Sequence, residues 1–456
     1  MIWTRYNYMF YSDVHNGYLL YNSLSNSFIS FGNKIHGILL KIKNNPDSVE
    51  SMNDVSKEFL DELKRMLIIY EGTHEDLLNI IRMYQYKNCY QSNSLLLTIA
   101  PTMDCNFKCA YCFENNKSKT YMSIETEKVL VDFIMNEYRN KCFKDVQIDW
   151  YGGEPLLAFD SIKRISESLN DCNIKFSSSL ITNGYLLDKE KIEQLSSLNI
   201  NTIQISIDGD SNIHNRSRPH IANGDSYEKI MENLQHLHDY LMQNNVKINV
   251  GIRYHVDKNN INCFSGIANL VTDKFPLFIL YPSMVQDNIG NDKYTKTKSA
   301  LNQQEYIDFL KDNCGQARNI YIQTFPECML GTGCIAAMSN GYVIGSCGEL
   351  YLCWEDVGNS DKIIGNITKG FVNINKIHEK AKFISGNDPT LDTKCKNCLF
   401  LPVCGGGCPG KRIKNKYGIY QYNLCTYFKT GNEIKNFLNI HYTMLKSKTN
   451  LKKISI

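Results

Sequence analysis

Thiols supply the clearest chemistry in this chain, which has 17 cysteines among 456 residues. A first group lies in APTMDCNFKCAYCF, where three and then two residues separate Cys105, Cys109 and Cys112. A structural zinc site has four ligands, and a 4Fe–4S cluster is usually held by four cysteines. Three thiolates in one loop predict a cluster with one iron open to a small molecule. Zinc with a distant fourth ligand is the alternative.

A second group of thiols lies near the C-terminus, in DTKCKNCLFLPVCGGGCPG. Disulfides, zinc and iron–sulfur clusters are all compatible with this sequence. The N-terminus has no basic stretch followed by a long apolar one, and no apolar run approaches ~18 residues. These features predict a cytoplasmic protein without a membrane span. In that reducing compartment, cysteine clusters more often bind metal than form disulfides.

Charge narrows the functional classes further. The net charge is +3, from 50 basic and 47 acidic residues. A nearly balanced charge gives no broad electrostatic footprint for nucleic acid. The composition therefore favours a globular protein that acts neither on nucleic acid nor in a membrane.

The elements that position the first thiols lie in a central block, residues 94–300. Six apolar runs alternate with amphipathic helical stretches, which predicts an α/β fold with a parallel sheet. We expect a partial (β/α)6 TIM-like barrel, whose functional residues lie at the carboxyl ends of the strands. The predicted strands are LLLTIAP, VQIDWYGG, SSLITNG, TIQISIDG, KINVGIRYHV and LFILYPS.

Two further blocks flank the predicted barrel. Residues 1–93 contain a predicted hairpin around LSNS, followed by helical stretches, and favour a small α+β or winged-helix-like module. Residues 301–456 begin with the helix NQQEYIDFLKDN and then become loop-rich and cysteine-rich. A segment so poor in apolar periodicity needs cross-links, and metal clusters supply them.

CxxxCxxC in the first βα loop of a partial barrel resembles the radical S-adenosylmethionine enzymes. The resemblance implies that the cofactor's amino and carboxylate groups chelate the fourth iron. Electron donation from the cluster then cleaves the sulfonium and yields a 5′-deoxyadenosyl radical. Tyr111, directly before the third cysteine, is implied to lie near the adenine.

Other residues match the same family at successive strand ends. The resemblance implies that Gly152, Gly153 and Glu154 of YGGEP hold the cofactor's ammonium group. Each short motif also has a structural interpretation, since GGEP alone can be a turn and Ser206 or Asp208 a strand-end cap. For Ser206 and Asp208 the resemblance implies a ribose or carboxylate contact, and for Arg216, Arg218 and Arg253 the cofactor carboxylate.

The C-terminal thiols resemble the SPASM extension, which holds two auxiliary 4Fe–4S clusters. The resemblance assigns one cluster to Cys328, Cys334, Cys353 and Cys408, and the other to Cys395, Cys398, Cys404 and Cys425. The chain is thus expected to hold three 4Fe–4S clusters and S-adenosylmethionine. Gly405–Gly407 would form the turn that lets neighbouring thiolates face different clusters. Two zinc sites are the alternative.

Related enzymes act mostly on peptides or proteins, so the resemblance implies a radical peptide maturase that installs a thioether or carbon–carbon crosslink. Residues 1–93 would bind a leader peptide by strand addition, and a generic packing or oligomerisation module is the alternative. Flavodoxin or ferredoxin would supply electrons. The alternatives are an anaerobic sulfatase-maturing enzyme and a zinc-binding adaptor. In sulfatase maturases an aspartate base follows the cysteine that matches Cys353. Trp354 follows here, which leaves Glu355 and Asp356 as candidate bases.

Overall fold

The computed structural model describes residues 1–53, 55–90, 93–112, 119–285, 299–314, 320, 333–369, 374–418, 421–425 and 433–448. The chain forms two compact units. The first comprises Met1–Gln91, Gln323–Cys334 and Ser385–Ile456, and the second comprises Ser92–Ile322 and Ile335–Ile384. Residues of the cysteine-rich C-terminal block therefore occur in both units.

The first unit begins with two small antiparallel sheets. One pairs β1 with β5, and the other has the order β2-β3-β4. The predicted hairpin is confirmed as β3 and β4, with Asn22 opposite Ser27. The extra strand β2 was not predicted from the sequence. The strands are β1 (Ile2–Trp3), β2 (Asn7–Ser12), β3 (Gly17–Asn22), β4 (Ser27–Phe31) and β5 (Ile69–Tyr70).

Three helices complete the N-terminal part of this unit, as the 3.6-residue spacing predicts. They are α1 (Asn33–Asn44), α2 (Lys57–Arg65) and α3 (His74–Tyr90). The hydroxyl oxygen of Ser56 caps α2 by accepting a hydrogen bond from the Phe59 N–H at 3.2 Å. Apolar faces of α1 and α2 pack on one face of the three-stranded sheet, through residues such as Leu39, Leu63 and Leu20.

The second unit is built around a sheet whose first six strands are all parallel and neighbour one another in chain order. Each run predicted as a strand forms one. The strands are β6 (Ser94–Thr102), β7 (Asp145–Gly152), β8 (Phe176–Thr182), β9 (Ile200–Ser206), β10 (Asn249–Val256) and β11 (Ile279–Met284). Seven helices belong with them: α4 (Ile124–Asn140), α5 (Phe159–Asp171), α6 (Lys189–Gln194), α7 (Ser211–Ser217), α8 (Tyr227–Asn244), α9 (Phe264–Lys274) and α10 (Gln303–Asn313).

Three short strands extend this sheet beyond β6. They are β12 (Gly341–Ile344), β13 (Glu349–Tyr351) and β14 (Gly365–Asn366), and α11 (Ile377–Ile384) follows. β12 pairs with β6 in parallel, while β13 and β14 are antiparallel. The α/β class with a largely parallel, barrel-like sheet is confirmed. The prediction of a loop-rich C-terminal block missed these strands because each has four residues or fewer.

The chain ends in the first unit with α12 (Leu401–Cys404), α13 (Pro409–Tyr417) and α14 (Glu433–Lys448). α14 packs beside the three-stranded sheet, where Ser12 donates a hydrogen bond to the Asn439 side-chain oxygen at 2.7 Å. The rings of Phe28 and Tyr442 also lie 5.7 Å apart. α14 therefore lines a side of the sheet where α1 and α2 do not pack. Among the described helices, none has the length and apolar composition needed to span a bilayer.

Candidate cofactor and cluster sites

The three-thiol loop follows directly from the carboxyl end of β6. Cys109 is buried, and Cys105 and Cys112 are half-buried. The backbone N–H of Phe107 donates a hydrogen bond to the Cys105 sulfur at 3.4 Å. Burial, and next the nearby Glu154 carboxylate, raise the pKa of the Cys105 thiol. An isolated thiolate is thus disfavoured here, and a bound iron centre would supply the compensating positive charge.

The donor set of this loop fits an iron–sulfur cluster. None of the cysteines in the described part of the chain forms a disulfide. Across the same residues, no three or more Cys, His, Asp or Glu side chains lie together as a ready site for a metal ion. A 4Fe–4S cluster takes one thiolate at each iron, so its ligands surround the cluster and do not meet at one point. The ligand roles of Cys105, Cys109 and Cys112 stay a prediction.

Two glycines at the end of β7 let that strand touch the cysteine loop. Gly152 has φ +126°, and a side chain there would collide with the carbonyl oxygen of Thr102. A side chain on Gly153 would collide with the carbonyl oxygen of Asp104, the residue before Cys105. Only glycine permits this approach of two backbones. The glycines therefore fix the YGGE segment against the start of the thiol loop.

Glu154 joins the ends of two neighbouring strands. Its carboxylate is 1% exposed. It accepts hydrogen bonds from the Thr182 hydroxyl at 2.6 Å, the Asn183 N–H at 2.7 Å and the Leu156 N–H at 3.1 Å. Burial raises the pKa of this carboxyl in spite of these donors. Glu154 thus organises the β7 and β8 ends, and its contact with the cofactor's ammonium remains a prediction.

Tyr111, between two thiols of the loop, forms hydrogen bonds with groups near the ends of two further strands. Its hydroxyl donates to the Asp208 carboxylate at 2.6 Å and accepts from the Arg218 guanidinium at 2.6 Å. Ser217 donates to the same carboxylate at 2.8 Å, and His255 Nδ1 lies 3.2 Å from its other oxygen. These contacts form one network over the carboxyl ends of β9 and β10.

Electrostatic interactions decide the ionisation state of Asp208, the carboxyl group at the centre of this network. Asp208 is completely buried, which by itself would raise the pKa of its carboxyl. The hydrogen bond from His255 and the positive charge of Arg218 outweigh that effect and hold the pKa of Asp208 well below its usual range. The carboxylate is therefore ionised and already accepts hydrogen bonds from protein groups. Its predicted ribose or carboxylate contact with the cofactor remains a prediction.

The predicted arginines occupy different environments. Arg216 is exposed on α7, whereas Arg218 is buried and Arg253 is half-buried on β10. Arg253 donates to the Ser283 hydroxyl at 2.8 Å, and Ser206 lies opposite it on β9. Within the described residues, the Nε atoms of Arg218 and Arg253 have no hydrogen-bond partner. These unused donors suit an anionic group such as the cofactor carboxylate.

The residue after Cys353 lies against the residue before the glycine pair. The rings of Trp354 and Tyr151 stack at a centroid distance of 5.2 Å with 29° between their planes. Trp354 opens a 3-10 helix, Trp354–Asp356, and is 40% exposed. Glu355 and Asp356, the predicted bases, are half-buried in the same short helix. The 354 position thus lies beside the YGGE segment and carries no acid–base group.

In the first unit, Cys395, Cys398 and Cys404 lie in one compact segment. The Phe400 N–H donates to the Cys398 sulfur at 3.4 Å, as Phe107 does for Cys105. Gly405, Gly406 and Gly407 all have positive φ, of 59°, 85° and 79°. This left-handed turn separates Cys404 from Cys408, which precedes α13 as its N-cap. The turn predicted at the three glycines is present.

The remaining predicted ligands are less fully described. Cys328 lies outside the described residues. Cys334 belongs to the first compact unit and Cys353 to the second, and Cys425 is exposed. The quartet of Cys328, Cys334, Cys353 and Cys408 therefore stays a prediction from the sequence, as does the place of Cys425 in the other quartet.

Sequence reasoning missed several residues of these sites. His255 follows Arg253 by two positions, so strand periodicity places both on one face of β10. That spacing was available as a signal. Thr182, Asn183 and Ser217 had none, because short polar residues at strand and helix ends are common. Arg412, which lies against Cys395, also had no signal because its helix begins well after that cysteine.

Comparisons with known proteins agree with this geometry. Residues 99–261 match the model of the Radical SAM superfamily. A cysteine-type anaerobic sulfatase-maturating enzyme of Clostridium perfringens (strain 13 / Type A) is 29% identical over 346 residues, covering 69% of this chain and 88% of the relative. The radical SAM cyclopropyl synthase TigE of Paramaledivibacter caminithermalis is 23% identical over 450 residues, covering 89% of each chain.

A solved structure of anSMEcpe with bound AdoMet and the Cp18Cys peptide shares the fold. Its TM-score is 0.57 at 24% identity, over 78% of this chain and 99% of that chain. The part of the chain that matches the Radical SAM superfamily extends from β6 to β10. These strands carry the thiol loop, the YGGE segment and the Asp208 network. Residues 99–261 therefore form a radical SAM domain, and the chain is an enzyme.

Proposed function

We propose that the protein is a peptide maturase that abstracts a hydrogen atom from an unactivated carbon of a precursor peptide and thereby installs a crosslink or related modification. The observation that carries this proposal is the stack of Trp354 on Tyr151. The family resemblance gives sulfatase maturases a base directly after the cysteine that matches Cys353. This chain has Trp354 at that position, stacked on Tyr151. An aromatic surface suits an apolar or aromatic side chain of a peptide.

The proposed cofactor site uses the carboxyl ends of the five neighbouring strands β6 to β10. When bound, S-adenosylmethionine and a reduced 4Fe–4S cluster supply a 5′-deoxyadenosyl radical. Cys105, Cys109 and Cys112 would hold that cluster. Arg218 and Arg253 would use their unpartnered Nε donors for the cofactor carboxylate. The Asp208–Tyr111 hydrogen bond would keep the middle of the thiol loop in place.

Proton acceptance is the least determined role. The indole at position 354 cannot act as a base at neutral pH. Glu355 and Asp356 lie in the same turn of chain and are half-buried. We assign them as candidate acceptors for the proton that leaves with bond formation, while an auxiliary cluster would accept the remaining electron of the substrate radical. Substituting each carboxylate by its amide separates the two candidates. The variant that lacks the true base should lose product formation while it still cleaves S-adenosylmethionine.

The cysteine-rich segments would hold two auxiliary clusters, for a total of three, and a flavodoxin or ferredoxin would supply electrons. Backbone N–H donation to the Cys398 sulfur repeats the pattern seen at Cys105. Hydrogen bonds to cluster sulfurs are a common feature of such sites. Reductants of this kind fit action in the cytoplasm.

The N-terminal module would bind a leader peptide by strand addition. Helices α1 and α2 pack on one face of the β2-β3-β4 sheet, and α14 contacts it through Asn439 and Tyr442. Within the described residues, β2 and β4 are its edge strands. A peptide would therefore reach the backbone of β2 or β4. Hydrogen exchange tests this, because added leader should slow exchange at residues 7–12 or 27–31. Unchanged exchange in both strands would refute the role.

Formylglycine formation is the second candidate, favoured by the 29% identity to the Clostridium perfringens sulfatase-maturating enzyme. One anaerobic assay separates the two. The reconstituted protein, with dithionite and S-adenosylmethionine, is offered either a short peptide encoded beside its gene or a sulfatase-type peptide containing cysteine. Mass spectrometry that finds a crosslink only in the first supports the proposal. Formylglycine in the second, with the first unmodified, overturns it.

A further inference from the structure

A buried arginine points at one of the C-terminal thiols. Arg412 lies in α13 and is 6% exposed. Its Nη2 donates a hydrogen bond to the Cys395 sulfur at 3.2 Å and another to the carbonyl oxygen of Gly406. Its Nη1 donates to the Asp392 carboxylate at 3.0 Å. One guanidinium thus spans the start of the CxxC segment and the glycine turn.

The surroundings of Arg412 are built to hold the guanidinium there. Asp392, its anionic partner, accepts the N–H groups of Lys394 at 2.8 Å and Cys395 at 3.0 Å. A side chain at Gly406 would come within 2.9 Å of Arg412 Nη2 and would also strike Pro389. With φ +85°, Gly406 also has a conformation that other residues avoid. The turn, the aspartate and the arginine therefore form one arrangement around the Cys395 sulfur.

A cationic donor at a cluster sulfur has a definite physical effect. Reducing a 4Fe–4S cluster adds negative charge, which a nearby guanidinium stabilises. Hydrogen bonds to the sulfurs act in the same direction and help set cluster potentials. The sulfurs of Cys105 and Cys398 accept backbone N–H groups. At Cys395, a full positive charge is added to the hydrogen bond.

We propose that Arg412 is a positioning residue that raises the reduction potential of the auxiliary cluster held by Cys395, Cys398, Cys404 and Cys425. The inference rests on the auxiliary clusters of the proposed function. It assigns a role to a residue outside the thiol motifs. It also distinguishes this cluster from the one in the radical SAM domain, where the buried Glu154 carboxylate acts near Cys105.

The test is a redox titration of the reconstituted full-length protein followed by electron paramagnetic resonance. The cofactor cluster is identified because its signal responds to added S-adenosylmethionine. Arg412→Met removes the charge and the donors, and Arg412→Lys keeps the charge without the planar fork. Arg82→Met is the matched control, since Arg82 lies in the same unit and donates to Thr390 and Asn79.

Arg412→Met should lower one auxiliary midpoint so that the reduced-to-oxidised ratio at fixed potential falls at least tenfold, about 59 mV. Arg412→Lys should fall between this variant and the parent, and Arg82→Met should match the parent. If Arg412→Met loses the iron of one cluster, the Lys variant decides the question by its smaller downward shift of the same midpoint. An unshifted midpoint in a fully loaded variant overturns the role of Arg412. A parent that holds the iron of one cluster only overturns the proposed auxiliary clusters themselves.

Discussion

Arg5 donates a hydrogen bond from Nη1 to the backbone carbonyl of Lys396 at 3.1 Å, between residues 391 positions apart in sequence. Nearby, the Ser23 hydroxyl donates to the carbonyl of Leu399. Leu77 and Leu401 share one apolar cluster on which Cys395 and Cys398 also pack. The N-terminal module and the CxxC segment therefore form one folded unit. Deleting residues 1–93 would damage that unit and cannot isolate leader binding.

Leu77→Ala tests this shared core. The side chain is fully buried, so its truncation should cost about 2–5 kcal/mol of unfolding free energy. We expect the variant to lose auxiliary iron while it keeps the cluster of the radical SAM domain, which belongs to the other unit. Iron analysis and denaturant unfolding measure both effects. Val14→Ala, at a site 70% exposed, is the control, and equal iron loss in both variants would contradict the prediction.

Cys105→Ala should abolish reductive cleavage of S-adenosylmethionine. Loss of one of the three thiolates leaves the proposed cofactor cluster with only two of its protein ligands. Liquid chromatography of 5′-deoxyadenosine, formed with dithionite and without any peptide, is the measurement. Cys142→Ala controls for removal of a cysteine, since Cys142 is exposed. Continued cleavage by the Cys105 variant would show that the cluster has other ligands.

Trp354→Ala should raise KM for the precursor peptide by roughly tenfold, because the peptide loses one ring of the aromatic pair. Cleavage of S-adenosylmethionine without peptide should stay unchanged. Trp354→Phe keeps a ring against Tyr151 and should retain most of the affinity. Steady-state kinetics with mass-spectrometric detection compare the three proteins. Equal KM values in the Ala and Phe variants would remove Trp354 from the substrate site.

His214 should make the protein less stable in mild acid. Burial, aided by the charges of Arg218 and His255, lowers the pKa of His214 from 6.5 to about 3. Between these values the unfolded chain binds a proton that the folded protein does not. The free energy of unfolding should therefore fall as the pH drops below 6.5, by up to roughly 1.4 kcal/mol per pH unit.

Urea unfolding of the cluster-free protein at pH 7.0 and 5.5 measures this dependence. The pKa of His255 is also lowered, so it adds to the slope in the same direction. His214→Gln should reduce the slope without removing it. A slope that His214→Gln does not alter would assign the pH dependence to other groups.

Local sequence pattern determined the barrel strands and the order of the motifs along them. Apolar runs of seven to ten residues between amphipathic helices are compatible with few other folds. The thiol spacings and the three consecutive glycines were equally legible, because their chemistry depends on short stretches of chain. β12 to β14 escaped prediction, since strands of two to four residues carry no periodic signal. β12 forms by pairing with β6, and β13 and β14 add to it in turn.

Only the tertiary structure decided which distant side chains meet. The Tyr111–Asp208 bond, the stack of Trp354 on Tyr151 and the contact of Arg412 with Cys395 join residues 97, 203 and 17 positions apart. Each depends on strand order or on the path of a loop, which spacing does not encode. The sequence alone determined that thiols gather at two places. The folded chain decided which charges and rings surround them, because those neighbours arrive through packing.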